Sequence, residues 1–349
     1  MEDKRKRNLI LNSLLAGVFA LFLYWAEGNL GGYKIQIMNL IAVYIILGLS
    51  LNLIYGFAGM FSLGHAGFMA IGAYTCSLLI MPPIQKQALF ILEPAMWPFS
   101  VIHAPFLVAV IAAGLMAALA GILIGLPVLR LGGDYLGIAT LGFAEIIRVL
   151  ANNLPRITNG ALGFKGIPGY ANLWWNFGWC FLTLVIIVRL VNSNFGNALK
   201  AIRDDEVAAR AMGINTFKYR LTAFAIGSFF AGVGGALLAS LLTTIDPKMF
   251  LFLLTFNVLM IVVAGGLGSI TGTVIAGVII TVLLEWLRIV ENPVSFGDFD
   301  IPGIPGMRMV VFSLALLFII LFRRQGIMGR KEITWDTIFG LFRKRGAEK

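Results

Sequence analysis

The sequence predicts an all-α membrane protein, a polytopic transmembrane helical bundle of about ten spans. Hydrophobic residues make up 59% of the 349 residues and charged residues 13%, against about 25% charged in soluble domains. Apolar blocks recur from Leu9 to Phe322 without a long polar interval, which indicates one membrane domain. Lys and Arg collect in short clusters beside those blocks, as they do in the cytoplasmic loops of membrane proteins.

Each span needs about 20 predominantly apolar residues. Such segments lie near residues 9–26, 35–56, 63–81, 105–128, 135–151, 173–191, 218–242, 250–267, 270–288 and 307–322. They predict a transmembrane domain over residues 1–322 and a basic cytoplasmic tail over residues 323–349. The glycine-rich stretch from Gly56 to Gly72 also suits a broken or re-entrant helix, so eight spans are an alternative to ten.

The distribution of charges predicts the orientation. Three basic segments fall on one side when the N-terminus is placed inside, namely residues 4–7, the loop 195–217 and the tail. The opposite loops hold mainly acidic residues: Glu27, Glu93, Asp246, Glu291, Asp298 and Asp300. Because both ends are basic, the number of spans is expected to be even, with both termini in the cytoplasm.

Small residues that recur every four positions predict where helices pack closely in lipid. They are Gly227, Ala231, Gly235 and Ala239 in one span, Gly121 with Gly125, and Gly268 with Gly272. The glycine-rich passages from Gly56 to Gly72 and from Gly265 to Gly277 each connect two apolar spans. That similarity suggests an internal repeat of the kind found in transporters.

Several classes of chemistry have no support in the sequence. The net charge of +10 comes from clusters beside apolar segments without interleaved aromatics, which argues against nucleic-acid binding. No G-x-x-x-x-G-K-[ST] string is present, so ATP is expected to be bound by partner subunits and no cofactor by this chain. Two cysteines, Cys76 and Cys180, and two histidines, His65 and His103, make no metal cluster or catalytic set. We therefore expect neither an enzyme nor a metal site.

The loop over residues 195–217 is the longest polar interval within the bundle. Asp204 is expected to cap a short helix, Asp205 and Glu206 suit its positive end, and Gly213 can close it in the left-handed conformation. The functional interpretation is a lever that docks into a partner protein. A solvated loop that merely follows the positive-inside rule is the alternative.

Three passages resemble the permease subunits of bacterial ATP-binding-cassette importers for branched-chain amino acids, the LivM type. They are LNLIYGFAGMFSLGHAGFMAIGAY from Leu51 to Tyr74, LRLGGDYLGIATLGFAEIIRVLANN running on into TNGALGFKGIPG, and GNALKAIRDDEVAARAMGIN with GGLGSITGTVIAG further on. The resemblance implies a multi-pass permease of the inner membrane. It further implies a second, homologous permease subunit, two ATP-binding subunits and a periplasmic substrate-binding protein as partners.

The third passage is similar to the loop by which importer permeases contact their ATPases. The residues that this likeness places at the contact are Asp204, Asp205, Glu206, Ala208, Ala209 and Gly213. The passage departs from the general pattern, because Val207 stands where a Glu would fall and the later I-x-L-P is missing.

A zwitterionic solute would be bound by backbone dipoles at broken helices, between apolar walls. The residues expected along such a solute path are Asn52, Ser62, Gly64, His65, Thr158, Asn159 and Gly160. For His65 a structural role, with its ring bonded to freed carbonyls, is the alternative. Two acid–base pairs at a spacing of three, Glu145 with Arg148 and Glu285 with Arg288, are expected to be structural ion pairs, or else a gate or docking surface.

Two other functions are alternatives for this sequence. A permease of this family for urea or another short amide would share the bundle and the loop. A self-sufficient secondary transporter or channel would need an isolated mid-span acid or a filter, and the sequence shows none.

Overall fold

The computed structural model describes residues 2–90, 93–131, 133–287, 294–296, 299–301, 306–307, 310–311, 313–314, 317, 325–329 and 331–332. Thirteen α-helices are found in this part of the chain. They are α1 Glu2–Asn29, α2 Gly32–Asn52, α3 His65–Ile80, α4 Pro83–Leu89, α5 Phe106–Val128, α6 Asp134–Asn153, α7 Pro155–Thr158, α8 Leu173–Val191, α9 Asn194–Asp204, α10 Glu206–Ala211, α11 Thr216–Leu242, α12 Phe252–Gly265 and α13 Ile270–Trp286.

Five helices of the described chain are long and apolar enough to cross a membrane. They cover Gly32–Phe57, Phe106–Val128, Tyr135–Asn153, Leu173–Val191 and Thr216–Leu242. A sixth span results if α3 and α4, bent by 119°, count as one. The apolar helices α12 and α13 are shorter, at 14 and 17 residues. The predicted first span lies within α1, and the predicted span 307–322 falls mostly outside the described residues.

The structure is mostly helical, as predicted, and two small sheets that the sequence did not predict are added to the helices. In the first, β1 (Phe164–Lys165) pairs antiparallel with β2 (Thr244–Ile245). In the second, β3 (Val294–Phe296) pairs with β4 (Phe299–Ile301). Strands of two or three residues are too short to show an alternating apolar pattern, so the sequence gives no signal for them.

The centre of the bundle is formed by α2, α3, α5 and α11, with α11 packed along both α3 and α5. The small residues of α11 allow this packing, as the sequence predicts. A Cβ added to Gly235 would lie 2.1 Å from the carbonyl oxygen of Met69, and one at Gly227 would lie 2.5 Å from Cδ1 of Ile54. The backbones of α3 and α11 are therefore in direct contact.

The chain between α2 and α3 is a break in the helical path. After Asn52 the helix widens into a π turn, Leu53–Phe57, and residues 58–64 are non-helical before α3 begins at His65. The amides of Ala58 and Met60 bond back to the carbonyls of Leu53 and Ile54. The structure therefore agrees with the broken-helix interpretation of this glycine-rich stretch.

Part of the predicted tail folds back onto the bundle. The amide of Ile327 bonds to the carbonyl of Ala264 at 2.8 Å. The Glu332 carboxylate accepts the amides of Ile270 and Thr271 at 2.5 and 3.0 Å, which caps the start of α13. Residues 325–332, as far as they are described, thus belong with the turn between α12 and α13, and the predicted tail beyond 332 lies outside the described residues.

The contact between α3 and α11 gives a prediction about stability. Replacement of Gly235 with valine forces α3 and α11 apart, because the new side chain meets the Met69 backbone. We expect a loss of about 1–3 kcal/mol, typical of overpacking, measured as a lower melting temperature of the protein in nanodiscs. Gly178→Val on α8 is the control, since nothing lies within 4 Å of a Cβ there. Equal melting temperatures for both variants would contradict the close contact.

Candidate functional site

The loop 195–217 folds into two short helices, α9 and α10, joined at Asp205. Asp205 has an extended backbone, with φ −154° and ψ 107°, and its carboxylate accepts the amides of Val207 and Ala208 at 2.9 and 3.0 Å. This is an N-cap, and it corrects the prediction that Asp204 caps the helix. Asp204 is instead the last residue of α9, and its carboxylate bonds to the guanidinium of Arg203.

Helix α10 ends at Ala211, and Gly213 closes it in the left-handed conformation, as the sequence predicts. Gly213 has a φ of +81°, in the left-handed region. Its amide donates to the carbonyl of Arg210 at 3.0 Å, and the amide of Ile214 donates to the carbonyl of Ala209 at 3.1 Å. These two bonds form a Schellman motif, so both ends of α10 are closed by defined caps.

Glu206 faces the bundle. Its carboxylate lies 2.7 Å from NH1 of Arg220 on α11 and 2.5 Å from NH2 of Arg210. Burial by itself would raise the pKa of Glu206, but the two arginines outweigh it and hold the pKa below its ordinary value. The carboxyl is therefore ionised at neutral pH, and it ties α10 to the start of α11.

Helix α10 and its C-cap Met212 expose apolar residues beside the charged Arg210, whose side chain is 66% exposed. Val207 is 78% exposed and Met212 82%, with Ala208 and Ala211 exposed beside them. We call these four residues the α10 tip. Ala209, predicted at the same contact, is buried and packs inward. The sequence interpretation missed Met212 and treated Val207 only as a departure, although apolar residues in a long polar interval were the available signal.

Asn52 joins the two glycine-rich passages. Its amide nitrogen donates to the carbonyl of Ser269 and to Oγ1 of Thr273, at 2.9 and 2.8 Å, and its oxygen accepts the amide of Gly268 at 2.9 Å. Both amide protons are thus used inside the protein. In this conformation Asn52, predicted on the solute path, connects α2 to the turn before α13.

The same junction is also contacted by α9. NH1 of Arg203 donates to the carbonyl of Gly56 at 2.9 Å, across 147 positions of sequence. From the sequence, Arg203 is only one of the basic residues of the loop 195–217 that indicates orientation. No local pattern identifies a partner that is a backbone carbonyl so distant along the chain.

The start of α3 brings together the predicted residues Ser62, Gly64 and His65, all buried. Nε2 of His65 lies 2.8 Å from Oγ of Ser50, which itself donates to the carbonyl of Leu47. The ring is thus linked to α2 through a hydroxyl.

Two threonines that sequence reasoning missed bond to the backbone around His65. Oγ1 of Thr140 on α6 accepts the amide of Leu63 at 3.0 Å, and Oγ1 of Thr255 on α12 accepts the amide of Ala66 at 2.9 Å. Hydroxyl residues inside otherwise apolar helices were the signal. They provide partners for backbone amides that a helix start leaves free.

Thr158, Asn159 and Gly160 form a separate turn. Oγ1 of Thr158 donates to the carbonyl of Ala151 at 2.5 Å, and Asn159, with φ +58°, donates to the carbonyl of Gly163 at 2.8 Å. This turn follows the C-terminal end of α6, whereas Thr140 lies near its N-terminal end. At 1.5 Å per residue the two groups are separated by about 20 Å along α6. The structure therefore does not bring the predicted solute-path residues into one site.

The two predicted ion pairs have different outcomes. Nε of Arg148 donates to Glu145 at 2.9 Å, so this pair forms on one face of α6. Glu285 accepts the Tyr33 hydroxyl at 2.9 Å, and its predicted partner Arg288 lies outside the described residues. Among the residues that the structure describes, no group of three His, Cys, Asp or Glu side chains is placed to bind a metal.

Comparison with known proteins identifies relatives over most of the chain. Residues 33–321 match the family described as the branched-chain amino acid transport system / permease component. The permease protein LivM of the high-affinity branched-chain amino acid transport system of Escherichia coli is 33% identical, over 84% of this chain and 69% of its own length. The LivM protein of Salmonella typhimurium is 32% identical, over 93% of this chain and 75% of its own length. The LivH protein of the same organism is 25% identical, over 89% of this chain and 98% of its own length.

No solved structure matches the chain. The family match covers most of the described helices, including the breaks, the junction at Asn52 and the α9–α10 segment. Together with the apolar spans of the fold, it shows that this chain is a multi-pass membrane protein and belongs to the family of branched-chain amino acid transport system permease components.

Proposed function

We propose that this chain is a permease subunit of an ATP-driven importer in the bacterial inner membrane, and that the importer moves leucine, isoleucine and valine. The names of the relatives support the solute class. The observation that carries the mechanism is the α9–α10 segment, a rigid element with an exposed apolar tip. In water such a tip is unfavourable unless a partner covers it.

The rigidity of α9–α10 comes from its anchors. Leu199 and Ile202 of α9 are fully buried against the bundle. Arg203 bonds to the break after α2, and Glu206 bonds to Arg220 of α11. A partner that binds the α10 tip therefore pushes on an element fixed at several points, which transmits displacement as a rigid body.

The partners follow from the family and from the sequence. The relatives are named as permease proteins of transport systems, which supports an assembly with a second, homologous permease subunit. Two ATP-binding subunits and a periplasmic substrate-binding protein complete the proposed importer. ATP is bound by those subunits and no cofactor by this chain, in keeping with a sequence that has no phosphate-binding loop.

Two alternatives share parts of this proposal. A urea or short-amide permease would keep the same bundle and the same α10 tip, and differs only in solute. A secondary transporter or channel would need an unpaired intramembrane acid, whereas Glu145 is bonded to Arg148. The ion pair favours a transporter powered by its partners.

The proposed topology has ten spans, with residues 1–322 in the membrane domain, residues 323–349 as a cytoplasmic tail and both termini in the cytoplasm. It counts α1, α12, α13 and the segment 307–322 as spans beside the six found by length and apolarity. The basic residues of α9–α10 support its cytoplasmic placement.

Cysteine labelling tests this topology, after replacement of Cys76 and Cys180. Met212→Cys on the α10 tip should react with a membrane-impermeant maleimide only in permeabilised cells. Lys248→Cys, exposed between α11 and α12, should react in intact spheroplasts. Reaction of Met212→Cys from outside, or a probe after Lys349 that reports the periplasm, would show that the topology is wrong.

The closure of α10 gives a test of docking. Because the φ of Gly213 is +81°, valine there is strained by about 1 kcal/mol or more. The strain should reorient the α10 tip, so that the ATP-binding subunits co-purify poorly or hydrolyse ATP without transport. Gly213→Asn is the matched control, since asparagine tolerates the left-handed region and nothing lies within 4 Å of a Cβ at this position.

Co-purification of the ATP-binding subunits measures assembly, and solute moved per ATP in proteoliposomes measures coupling. Gly213→Asn should retain both assembly and coupling within about twofold. The backbone angle φ, and not the space around residue 213, restricts which side chains this position accepts. If Gly213→Val assembles and transports as well as Gly213→Asn, the segment is a passive tether.

A further inference from the structure

The guanidinium of Arg203 is enclosed where the cytoplasmic segment meets the membrane bundle. Its side chain is 16% exposed. Nε of Arg203 donates to Oδ1 of Asp204 at 3.1 Å, and NH2 lies 3.1 Å from the same oxygen, while NH1 donates to the carbonyl of Gly56. The carboxylate fixes the plane of the guanidinium, and the third nitrogen is directed at the membrane segment.

The Gly56 carbonyl needs this donor because of the π turn. In a π helix the donor comes from five residues ahead, and here the helix ends at Phe57. The last carbonyls of a helix have no intrahelical donor and must be satisfied otherwise. Arg203 supplies one from the cytoplasmic side.

Two glycines lie directly against the Arg203 side chain, and a third lies against Asn52. A Cβ at Gly59 would lie 2.9 Å from Cγ of Arg203, and one at Gly268 would lie 2.9 Å from its NH1. At Gly56 an added Cβ would lie 1.8 Å from Oδ1 of Asn52. The two glycine-rich passages therefore close around one side chain of α9.

Beside this contact α9 borders an open cleft. A cleft of about 450 Å³ is lined by Val191, Lys200, Arg203, Thr271 and Glu332. Displacement of α9 is thus not blocked by a continuous packed wall between it and the turn before α13. At the edge of that cleft, Arg203 of α9 contacts both glycine-rich passages, at Gly56 and at Gly268.

From this geometry we infer that Arg203 is a positioning residue for coupling. It transmits displacement of α9 to the break before α3 and, through Asn52, to the turn before α13. The inference rests on the proposed function and adds to it the route by which a docked partner reaches the bundle. Arg203 is not one of the α10 tip residues, so its substitution leaves the docking surface itself unchanged.

The test uses the complete importer in proteoliposomes with three variants. Arg203→Gln should keep co-purification of the ATP-binding subunits and their ATP hydrolysis, while solute moved per ATP falls at least tenfold. Lys200→Gln is the matched control, because Lys200 also bonds from α9 to a carbonyl, that of Val191, yet leaves Gly56 untouched. The solute moved per ATP by Lys200→Gln should stay within twofold of the value for the unmodified importer. Met212→Asp at the α10 tip should lose co-purification.

The outcomes separate the inference from the proposed function. An unchanged transport ratio in Arg203→Gln, or loss of co-purification from a folded Arg203→Gln chain, overturns the positioning role. Normal assembly of Met212→Asp overturns docking through the α10 tip instead. If Arg203→Gln does not fold, Arg203→Lys decides. The lysine ammonium cannot bind the Asp204 carboxylate and the Gly56 carbonyl at the same time with the fork geometry of a guanidinium. The solute moved per ATP by Arg203→Lys should therefore fall at least threefold. A value equal to that of the unmodified importer refutes the inference.

Discussion

Breaking a helix inside a membrane protein is possible only if the freed backbone groups find partners within the chain, because lipid offers none. The described part of this protein meets that condition at two adjoining breaks. Asn52 uses both of its amide protons and its oxygen to join α2 to the turn before α13. Thr140 and Thr255 accept amides at the start of α3. These bonds hold the breaks in one arrangement.

The same constraint links the bundle to helices α9 and α10. The carbonyl of Gly56 takes its donor from Arg203 of α9 rather than from the helix. Glu206 of α10 is bonded to Arg220 of α11, which packs on α3 and α5. Helices α9 and α10 are therefore attached both to the π turn after α2 and to α11, and the exposed α10 tip is the part that we propose a partner binds.

The sequence predicts much of this fold because a span is defined by one property, the length of an apolar run. The segments near 105–128, 173–191 and 218–242 agree with α5, α8 and α11 to within two residues. Gly213 was predictable because one local rule governs a helix end. The cap was displaced from Asp204 to Asp205 because its position depends on where α9 stops, which packing decides.

The candidate site was predicted less well, because its contacts are long-range. Nothing near Asn52 in the sequence indicates that its partners are Gly268, Ser269 and Thr273. A polar residue at a glycine-rich break suits a solute path as well as a structural bond, and only the fold distinguishes the two. Pattern reasoning also grouped His65 with Thr158, although α6 separates them.

Transport by the purified chain, compared with transport by the whole importer, tests most directly whether the energy comes from partners. In proteoliposomes the chain alone should take up neither labelled leucine nor urea under a proton or sodium gradient. With its partner permease, ATP-binding subunits and binding protein, and ATP, the vesicles should accumulate leucine and not urea. Leucine uptake by the chain alone, driven by either ion gradient, would show that this protein is a secondary transporter.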